Sequence, residues 1–158
     1  MMRFSIAAVA VMVLLTACKT EDVPAMSEMQ ADETENAILS VIHDLFQAME
    51  ARDSIRIGFT IHPEAMFVGV NVHGDVLATR RVEGADFIRE VGQPGPPYLE
   101  RLKNPVVQHS QDFAQVWSEY EFWVGDSLSH CGHDSFQLVR VEEKWRILGV
   151  TYSWKPCE

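Results

Sequence analysis

The chain has 158 residues, with 13 lysines and arginines against 23 aspartates and glutamates, so its formal net charge is −10 at pH 7. A protein this acidic is repelled by phosphates and anionic headgroups, which argues against nucleic acid as a partner and against membrane binding through protein charge. Behind a leader and a short linker, about 125 residues remain, enough for one domain with a buried core.

The N terminus has the pattern of an export signal. Arg3 precedes an unbroken apolar run over residues 4–15, which is too short to cross a bilayer as a permanent helix. The segment LTAC, which ends at Cys18, resembles a bacterial lipobox, in which the cysteine is acylated and becomes the first mature residue. We therefore expect residues 1–17 to be a lipoprotein signal peptide. An ordinary cleaved signal and an uncleaved anchor are the alternatives.

The expected location follows from this lipid anchor. More than one acyl chain on Cys18 would hold the protein stably at a membrane, and the lipid would be its only membrane contact. Lys19 occupies the position where an aspartate would indicate inner-membrane retention in enteric-type bacteria. We therefore expect a bacterial cell-envelope protein at the outer membrane, facing the periplasm. Residues 18–32 are acidic and lack a sustained period, which predicts a tether.

Residues 33–158 are predicted to form the folded domain, and its first part is helical. Asp32 and Glu35 have the spacing of a capping box, and apolar residues then recur at helical spacing up to Met49. This pattern predicts an amphipathic helix over residues 33–51. A short second helix is predicted over residues 54–60, ending ahead of Pro63 because the residue before a proline avoids the helical region.

The rest of the domain is predicted to be mainly β-structure. Two β-rich runs flank the turn signal HGD at residues 73–75 and predict a hairpin. A short helix follows in VEGADFIREVGQ and is stopped by the PGPP segment at residues 94–97. Short polar turns separate four further runs, which predicts consecutive antiparallel strands. These runs cover residues 99–109, 113–124, 128–141 and 144–154.

The order of these elements resembles that of the nuclear transport factor 2-like superfamily, which includes ketosteroid isomerase, polyketide cyclases and many small exported proteins. The resemblance extends over residues 33–154 and is carried by ILSVIHDLFQAMEARD, MFVGVNVHGD, CGHDSFQLVR and EEKWRILGVTYS. It implies an α+β fold in which a curved antiparallel sheet forms a cone, with about three helices from the N-terminal half covering it. It also implies an apolar pocket at the open end of the cone.

Two cysteines remain once Cys18 is acylated. In an oxidising compartment Cys131 and Cys157 are predicted to form a disulfide. The last strand is expected to run antiparallel to the strand that carries Cys131, so its far end returns towards that cysteine.

The HCGH segment at residues 130–133 also suggests a zinc site. On a strand, residues three apart point to opposite faces, so His130 and His133 could converge only if Gly132 bulged the strand. We therefore expect the disulfide here, with neither a metal nor a cofactor.

Alternation along residues 113–124 separates two faces of one strand. One face is expected towards the helices and the pocket and carries Val116, Ser118, Tyr120, Phe122 and Val124. The other carries Trp117, Glu119, Glu121 and Trp123. Tryptophans beside carboxylates suit an interface with a polar rim. This face could therefore join two copies of the chain in a homodimer, or it could be a twisted sheet with partly exposed aromatic residues.

The predicted pocket combines an apolar wall with few polar groups, as small-ligand sites commonly do. Its expected members are His62, Met66, Val68, Tyr120, Phe122, Asp134, Phe136 and Tyr152. Asp134 shares a strand face with Phe136, which predicts a buried carboxylate, and it joins His62 as a candidate general base.

Three classes of function fit this pocket and its surroundings. The first is a lipoprotein of the cell envelope that binds a small apolar or amphipathic molecule without catalysis. The second is an isomerase-like or cyclase-like enzyme that uses Asp134 or a histidine as base. The third is an envelope assembly protein that uses the Trp117 and Trp123 face.

Overall fold

The computed structural model describes residues 24–73 and 76–157, with side chains described for residues 33–71 and 77–157. The predicted signal peptide and Cys18 lie outside the described residues. Within those ranges, no helix is both long enough and apolar enough to cross a bilayer.

The described chain contains three helices and six strands. In chain order they are α1 (Pro24–Glu50), α2 (Ser54–Thr60), β1 (Ile61–His73), β2 (Val76–Glu83), α3 (Gly84–Val91), β3 (Tyr98–His109), β4 (Phe113–Val124), β5 (Ser127–Val141) and β6 (Lys144–Ser153). This order confirms the predicted α+β architecture. The bounds of α2 and of the last four strands lie within about one residue of the prediction.

The first helix begins earlier than predicted. It starts at Pro24 rather than at residue 33, so Asp32 lies inside the helix and does not cap its start. Proline is favoured at the first helical position, and residues 25–32 contain several strong helix formers and no glycine. The capping-box interpretation was therefore wrong, and residues 24–32 of the predicted tether are helical. Asp53 does cap a helix, because its side chain accepts hydrogen bonds from the first turn of α2.

The strands form one sheet in the order β2-β1-β6-β5-β4-β3. From the β1–β2 hairpin the chain passes through α3 to the far edge and returns strand by strand to β6. The pairings confirm the predicted antiparallel meander, whereas β1 and β6 run parallel to each other. The sequence did not predict this parallel pair, which joins the hairpin to the meander.

Helix α1 packs across one face of the sheet and forms the core with it. Its residues Ile38, Ile42 and Leu45 recur at helical spacing and are at most 2% exposed. They pack with Phe136 and Leu138 of β5, which are also buried. Each such side chain contributes about 1.5 to 3 kcal/mol of transfer free energy, so this contact holds the helix on the sheet.

The two faces of β4 differ as predicted. Val116, Ser118 and Tyr120 are buried beneath the helices, whereas Trp117 on the opposite face is 50% exposed. Trp117 stacks on His133 of β5 with the ring centroids 5.2 Å apart. Trp123 is partly buried. The outer face therefore carries a semi-exposed aromatic surface. A homodimer through this face stays a prediction, which sedimentation velocity would test.

A disulfide attaches the C-terminal segment to β5. Cys131 and Cys157 are joined, with their Cα atoms 5.1 Å apart and a sequence separation of 26. Cys131 also exchanges two backbone hydrogen bonds with Lys155, of 3.0 and 2.8 Å. In the chain-entropy model a loop of this size contributes about 3.5 kcal/mol to stability. The predicted pairing is therefore present, and it fixes the segment that follows β6.

Candidate functional site

A cavity of about 260 Å³ lies between the concave face of the sheet and the helices α1 and α3. Its walls are mostly apolar and aromatic. Leu45, Phe46 and Met49 of α1 form one side, and Phe87 and Val91 of α3 form another. The sheet supplies the floor. The stacked rings of Phe67 and Phe87, with centroids 3.8 Å apart, hold α3 against β1.

Five of the eight predicted pocket residues lie together at this cavity. They are Tyr120, Phe122, Asp134, Phe136 and Tyr152. All five belong to β4, β5 or β6, where the alternation of side chains was readable from the sequence.

The other three predicted pocket residues, all near or on β1, do not line the cavity. Phe67 points inward and is 4% exposed, so its neighbours Met66 and Val68 belong to the opposite face. The choice of Met66 and Val68 was wrong because apolar residues occupy both faces of β1, so alternation could not decide between them. The irregularity between Ile61 and Met66 in the β1 and β6 register further obscures the period.

His62 is also removed from the candidate site. Its Nδ1 accepts a hydrogen bond from the backbone N–H of Glu64 at 3.2 Å, and its side chain is absent from the lining of the cavity. His62 therefore has a local role at the start of β1, and it is no longer a candidate base.

One transverse row of the sheet places polar groups on the cavity floor. Register pairs Arg80 with Gly69, Gly69 with Tyr152 and Tyr152 with Asp134. Directly paired residues share a face, so this row crosses four strands on the concave side. A Cβ atom at position 69 would lie 2.9 Å from the ring and hydroxyl of Tyr152. Gly69 therefore makes room for that ring beside Asp134.

Asp134 is the buried ionisable group of this row, at 1% exposure. Its Oδ2 is buried and receives no hydrogen bond from any described N–H or hydroxyl group. The group that reaches Asp134 is the side chain of Glu100, which crosses the cavity floor from β3. The two carboxyl groups therefore form a hydrogen-bonded pair within an apolar cavity.

The surroundings of the pair favour its protonated forms. Burial raises the pKa of Asp134 to about 7, although the hydrogen bond from Glu100 opposes this rise. The pKa of Glu100 is raised well above its ordinary value by burial, then by the charge of Asp134 and by the hydrogen bond that Glu100 donates. The hydrogen bond stabilises the ionised form of Asp134 and the protonated form of Glu100, so Asp134 is the group that ionises first as pH rises.

Two tyrosines, Tyr120 and Tyr152, line the cavity beside the pair. The Tyr120 hydroxyl donates to the carbonyl oxygen of Ser153 at 2.8 Å, so its proton is already committed. Burial raises the pKa of Tyr120 and the pKa of Tyr152, so both stay neutral phenols. Ser153 is the last residue of β6, so this hydrogen bond ties the Tyr120 ring to the end of the last strand.

His130 lines the cavity and was not among the predicted pocket residues. Its ring stacks on Phe122 with the centroids 4.8 Å apart and meets Tyr120 edge-on at 5.7 Å. Burial lowers the pKa of His130, so the imidazole stays uncharged at neutral pH. Because His130 has the same parity on β5 as Asp134, the sequence held the signal needed to place it.

Glu100 was missed for a different reason. It lies between Tyr98 and Leu102 at the inward parity of β3, a carboxylate flanked by large side chains at both second neighbours. That pattern could have identified Glu100 as a cavity residue. However, β3 has no clean alternation of apolar and polar residues, and its register shifts between Lys103 and Val106.

The histidines of HCGH point to opposite faces, as expected. His133 lies on the outer face, with its Nε2 3.9 Å from a carboxylate oxygen of Glu119. Within the parts of the chain that the structure describes, no group of three histidine, cysteine or acidic side chains is arranged to hold a metal ion.

At the open end of the cavity an ion pair links the hairpin to α3. Arg80 and Glu90 approach to 2.7 Å, and both side chains are about half exposed. A surface pair of this kind contributes little stability. Its importance is positional, because both residues line the cavity and place one charge of each sign at its entrance.

Comparison with solved structures identifies the architecture, whereas no family model and no curated protein matches the sequence. A nuclear transport factor 2-like protein from Novosphingobium aromaticivorans aligns with a TM-score of 0.66 at 10% identity, over 86% of this chain and 91% of that chain. A candidate dehydratase of that family from Streptomyces avermitilis aligns with a TM-score of 0.60 at 14% identity, over 80% and 99% of the respective chains. The chain has the nuclear transport factor 2-like fold.

Another protein with this fold similarity is the β subunit of a candidate aromatic-ring-hydroxylating dioxygenase from Novosphingobium aromaticivorans. It aligns with a TM-score of 0.66 at 10% identity, over 82% of this chain and 94% of that chain. At such identities the likeness establishes the nuclear transport factor 2-like fold alone. The chemistry of the site has to be argued from its own residues.

The carboxyl pair predicts an unusual pH dependence of stability. Because the pKa of Asp134 is raised on folding, its contribution to stability is fully present below pH about 4 and is lost as pH rises towards 7. Asp134→Asn cannot ionise, so it should reduce the fall in unfolding free energy between pH 5 and pH 8 by about 2 kcal/mol. Urea denaturation at both pH values measures this difference.

Asp126→Asn provides the matched control, because Asp126 is exposed in the turn between β4 and β5 and undergoes the same change of charge. It should leave the wild-type pH dependence in place. Equal pH dependence in the wild type and in Asp134→Asn would contradict a raised pKa at Asp134.

Proposed function

We propose that this protein is a cell-envelope lipoprotein that binds a small apolar or amphipathic molecule in the cavity of its cone. The observation that carries the proposal is the composition of the cavity wall. An enclosing set of aromatic and aliphatic side chains surrounds the carboxyl pair of Asp134 and Glu100. Small-molecule sites are commonly built in this way, with few polar groups that orient a ligand within an apolar wall.

The fold supports a binding role without specifying the ligand. The helices α1 and α3 and the curved sheet enclose the cavity on several sides, and the core beneath it is closely packed. A cavity of about 260 Å³ is at the lower end of the size range of ligand pockets. The ligand would therefore be compact, on the scale of one to three aromatic rings.

An acid–base enzyme is the second candidate, and the carboxyl pair is the observation that favours it. Asp134 has a pKa of about 7, within the range in which a carboxylate can both accept and return a proton. In such an isomerisation Asp134 would be the general base, and protonated Glu100 could be the general acid. Binding alone remains the leading proposal, since the Tyr120 hydroxyl is committed to Ser153 and is not free to stabilise an oxyanion.

Filling the cavity tests the binding role. Val82 lines the cavity, whereas Val68 on the paired strand belongs to the outer face. Val82→Phe should weaken binding of the neutral dye N-phenyl-1-naphthylamine at least tenfold, because the added ring occupies ligand space. Val68→Phe makes the same substitution on the opposite face and should leave dye affinity within about twofold.

Dye fluorescence measures binding, and circular dichroism verifies that both variants are folded. The proposal fails if the wild type does not bind the dye, or if folded Val82→Phe binds it as tightly as Val68→Phe does.

The proposed location rests on the LTAC segment and requires its own test. Cys18→Ser removes the sulfur that would carry the lipid, so the variant should accumulate as an unprocessed precursor. Metabolic labelling with a clickable fatty acid should label the wild type and leave Cys18→Ser unlabelled. Undiminished label on the variant would eliminate the lipoprotein proposal.

A further inference from the structure

The carboxyl pair has more hydrogen-bond acceptors than donors. Asp134 and Glu100 together have four oxygens, and the pair retains a single proton once Asp134 ionises. Among the described residues, no backbone N–H, hydroxyl or basic side chain donates to Oδ2 of Asp134. A buried carboxylate that lacks donors carries an unrecovered desolvation cost. A ligand that donates hydrogen bonds to Oδ2 of Asp134 would offset this desolvation cost.

The walls around the pair are aromatic. Phe122 and Tyr98 lie with their ring centroids 5.3 Å apart, next to the strand positions of Glu100 and His130. The Arg52 guanidinium already covers one face of the Tyr98 ring, 3.3 Å from its centroid, so a ligand cation would meet the other rings. Tyr120, Phe136 and Tyr152 complete the same part of the floor. Aromatic faces attract cations through the ring quadrupole, most strongly where water is excluded. The site therefore combines acceptors for a donor with rings that favour positive charge.

The net charge of the cavity points in the same direction. The titratable groups that face it are Arg80 from β2, Glu90 from α3, Tyr98 and Glu100 from β3, Tyr120 from β4, His130 and Asp134 from β5, and Tyr152 from β6. From α1 only uncharged residues face it. At the entrance Arg80 and Glu90 compensate each other. Burial keeps Tyr120, Tyr152 and His130 neutral, so the remaining charge of the cavity is the negative charge that Asp134 gains as pH rises above its pKa of about 7.

We propose that the ligand is a protonated amine with a compact apolar substituent. Its ammonium group donates hydrogen bonds to the carboxyl groups of Asp134 and Glu100, and its substituent packs against the aromatic floor. This inference rests on the proposed function, because it assigns a chemical class to the ligand of the same cavity. A neutral hydroxyl could supply a donor but no charge, and an anion would be repelled by the pair.

Three compounds of similar size distinguish these classes. They are 2-phenylethylamine, 2-phenylethanol and phenylacetate, which at pH 7.5 are a cation, a neutral alcohol and an anion. Each is titrated against the complex of the full-length protein with N-phenyl-1-naphthylamine. The amine should displace the dye with at least tenfold higher affinity than the alcohol. Phenylacetate should be weaker than the alcohol.

Two variants locate the preference in the carboxyl pair. Asp134→Asn removes the buried acceptor charge and should reduce the preference for the amine over the alcohol to less than threefold. Asp126→Asn changes the net charge of the protein equally but lies outside the cavity, and it should retain the preference. Glu100→Gln gives a second measurement if Asp134→Asn does not fold, with a reduced preference expected.

The pH dependence of amine binding provides a further check. From pH 5 to pH 8 the pair loses a proton, so amine affinity should rise severalfold while alcohol affinity stays within twofold. A protonated His130 at pH 5 would also repel the amine, but the double variant Asp134→Asn/Glu100→Gln removes both carboxyl groups and retains His130. Loss of the pH dependence in the double variant therefore attributes it to the pair, whereas its retention would contradict the proposal.

These outcomes distinguish a failure of the proposed binding function from a failure of the amine inference. If the dye does not bind to the wild type, the proposed binding function fails. If the dye binds but the amine displaces it no better than the alcohol does, or not at all, the amine inference is overturned and the binding function stands. A tenfold preference that persists in Asp134→Asn/Glu100→Gln also overturns the inference, because it would arise elsewhere.

Discussion

The alternation of side chains along β4 and β5 is the constraint on which the cavity depends. These two strands are paired over most of their length, so residues of one parity lie beneath α1 and residues of the other lie on the outer face. The inward parity contains Tyr120 and Phe122 on β4, and Asp134 and Phe136 on β5. A shift of one residue in this register would exchange the cavity floor with the outer face. The core that α1 forms with β5 thus also fixes the ligand site.

The same burial that stabilises the sheet raises the pKa values of the two carboxyl groups at the site. Asp134 lies one pleat from Phe136, whose ring packs edge-on against Phe46 with the centroids 6.1 Å apart. An ionised carboxylate in this position is costly, and the cost is reduced by sharing a proton with Glu100. Retaining such a pair lowers stability at neutral pH. Strained or destabilised groups of this kind are concentrated at functional sites, which favours a role in ligand recognition.

Much of the fold was predictable because its signals are local. Asp53 caps α2, and short polar turns separate the four strands of the meander. The inward face of β4 followed from simple alternation. Two features resisted prediction for physical reasons. The start of α1 depends on helix formers in an acidic segment without an apolar period, and the inward face of β1 is hidden because both of its faces are apolar.

Only one of the two carboxyl groups of the site was identified from the sequence. Asp134 was identified because it shares a clean parity with Phe136, but its partner Glu100 lies on a strand whose register is interrupted. The hydrogen bond between them joins strands separated by β4, and a contact across the concave face leaves no trace in local sequence. The role of Gly69 likewise depends on Tyr152, which reaches it only through the parallel pairing of β1 and β6.

The most direct test of the account is the titration of the two carboxyl groups, measured by the ¹³C chemical shifts of the Asp134 and Glu100 side chains between pH 3 and pH 9. We expect Asp134 to titrate near pH 7 and Glu100 to retain its proton to higher pH. We also expect the resonance of each carboxyl group to respond to the ionisation of the other carboxyl group. Independent titration of both groups near pH 4 would contradict it, because the cavity would then contain two ordinary solvated carboxylates.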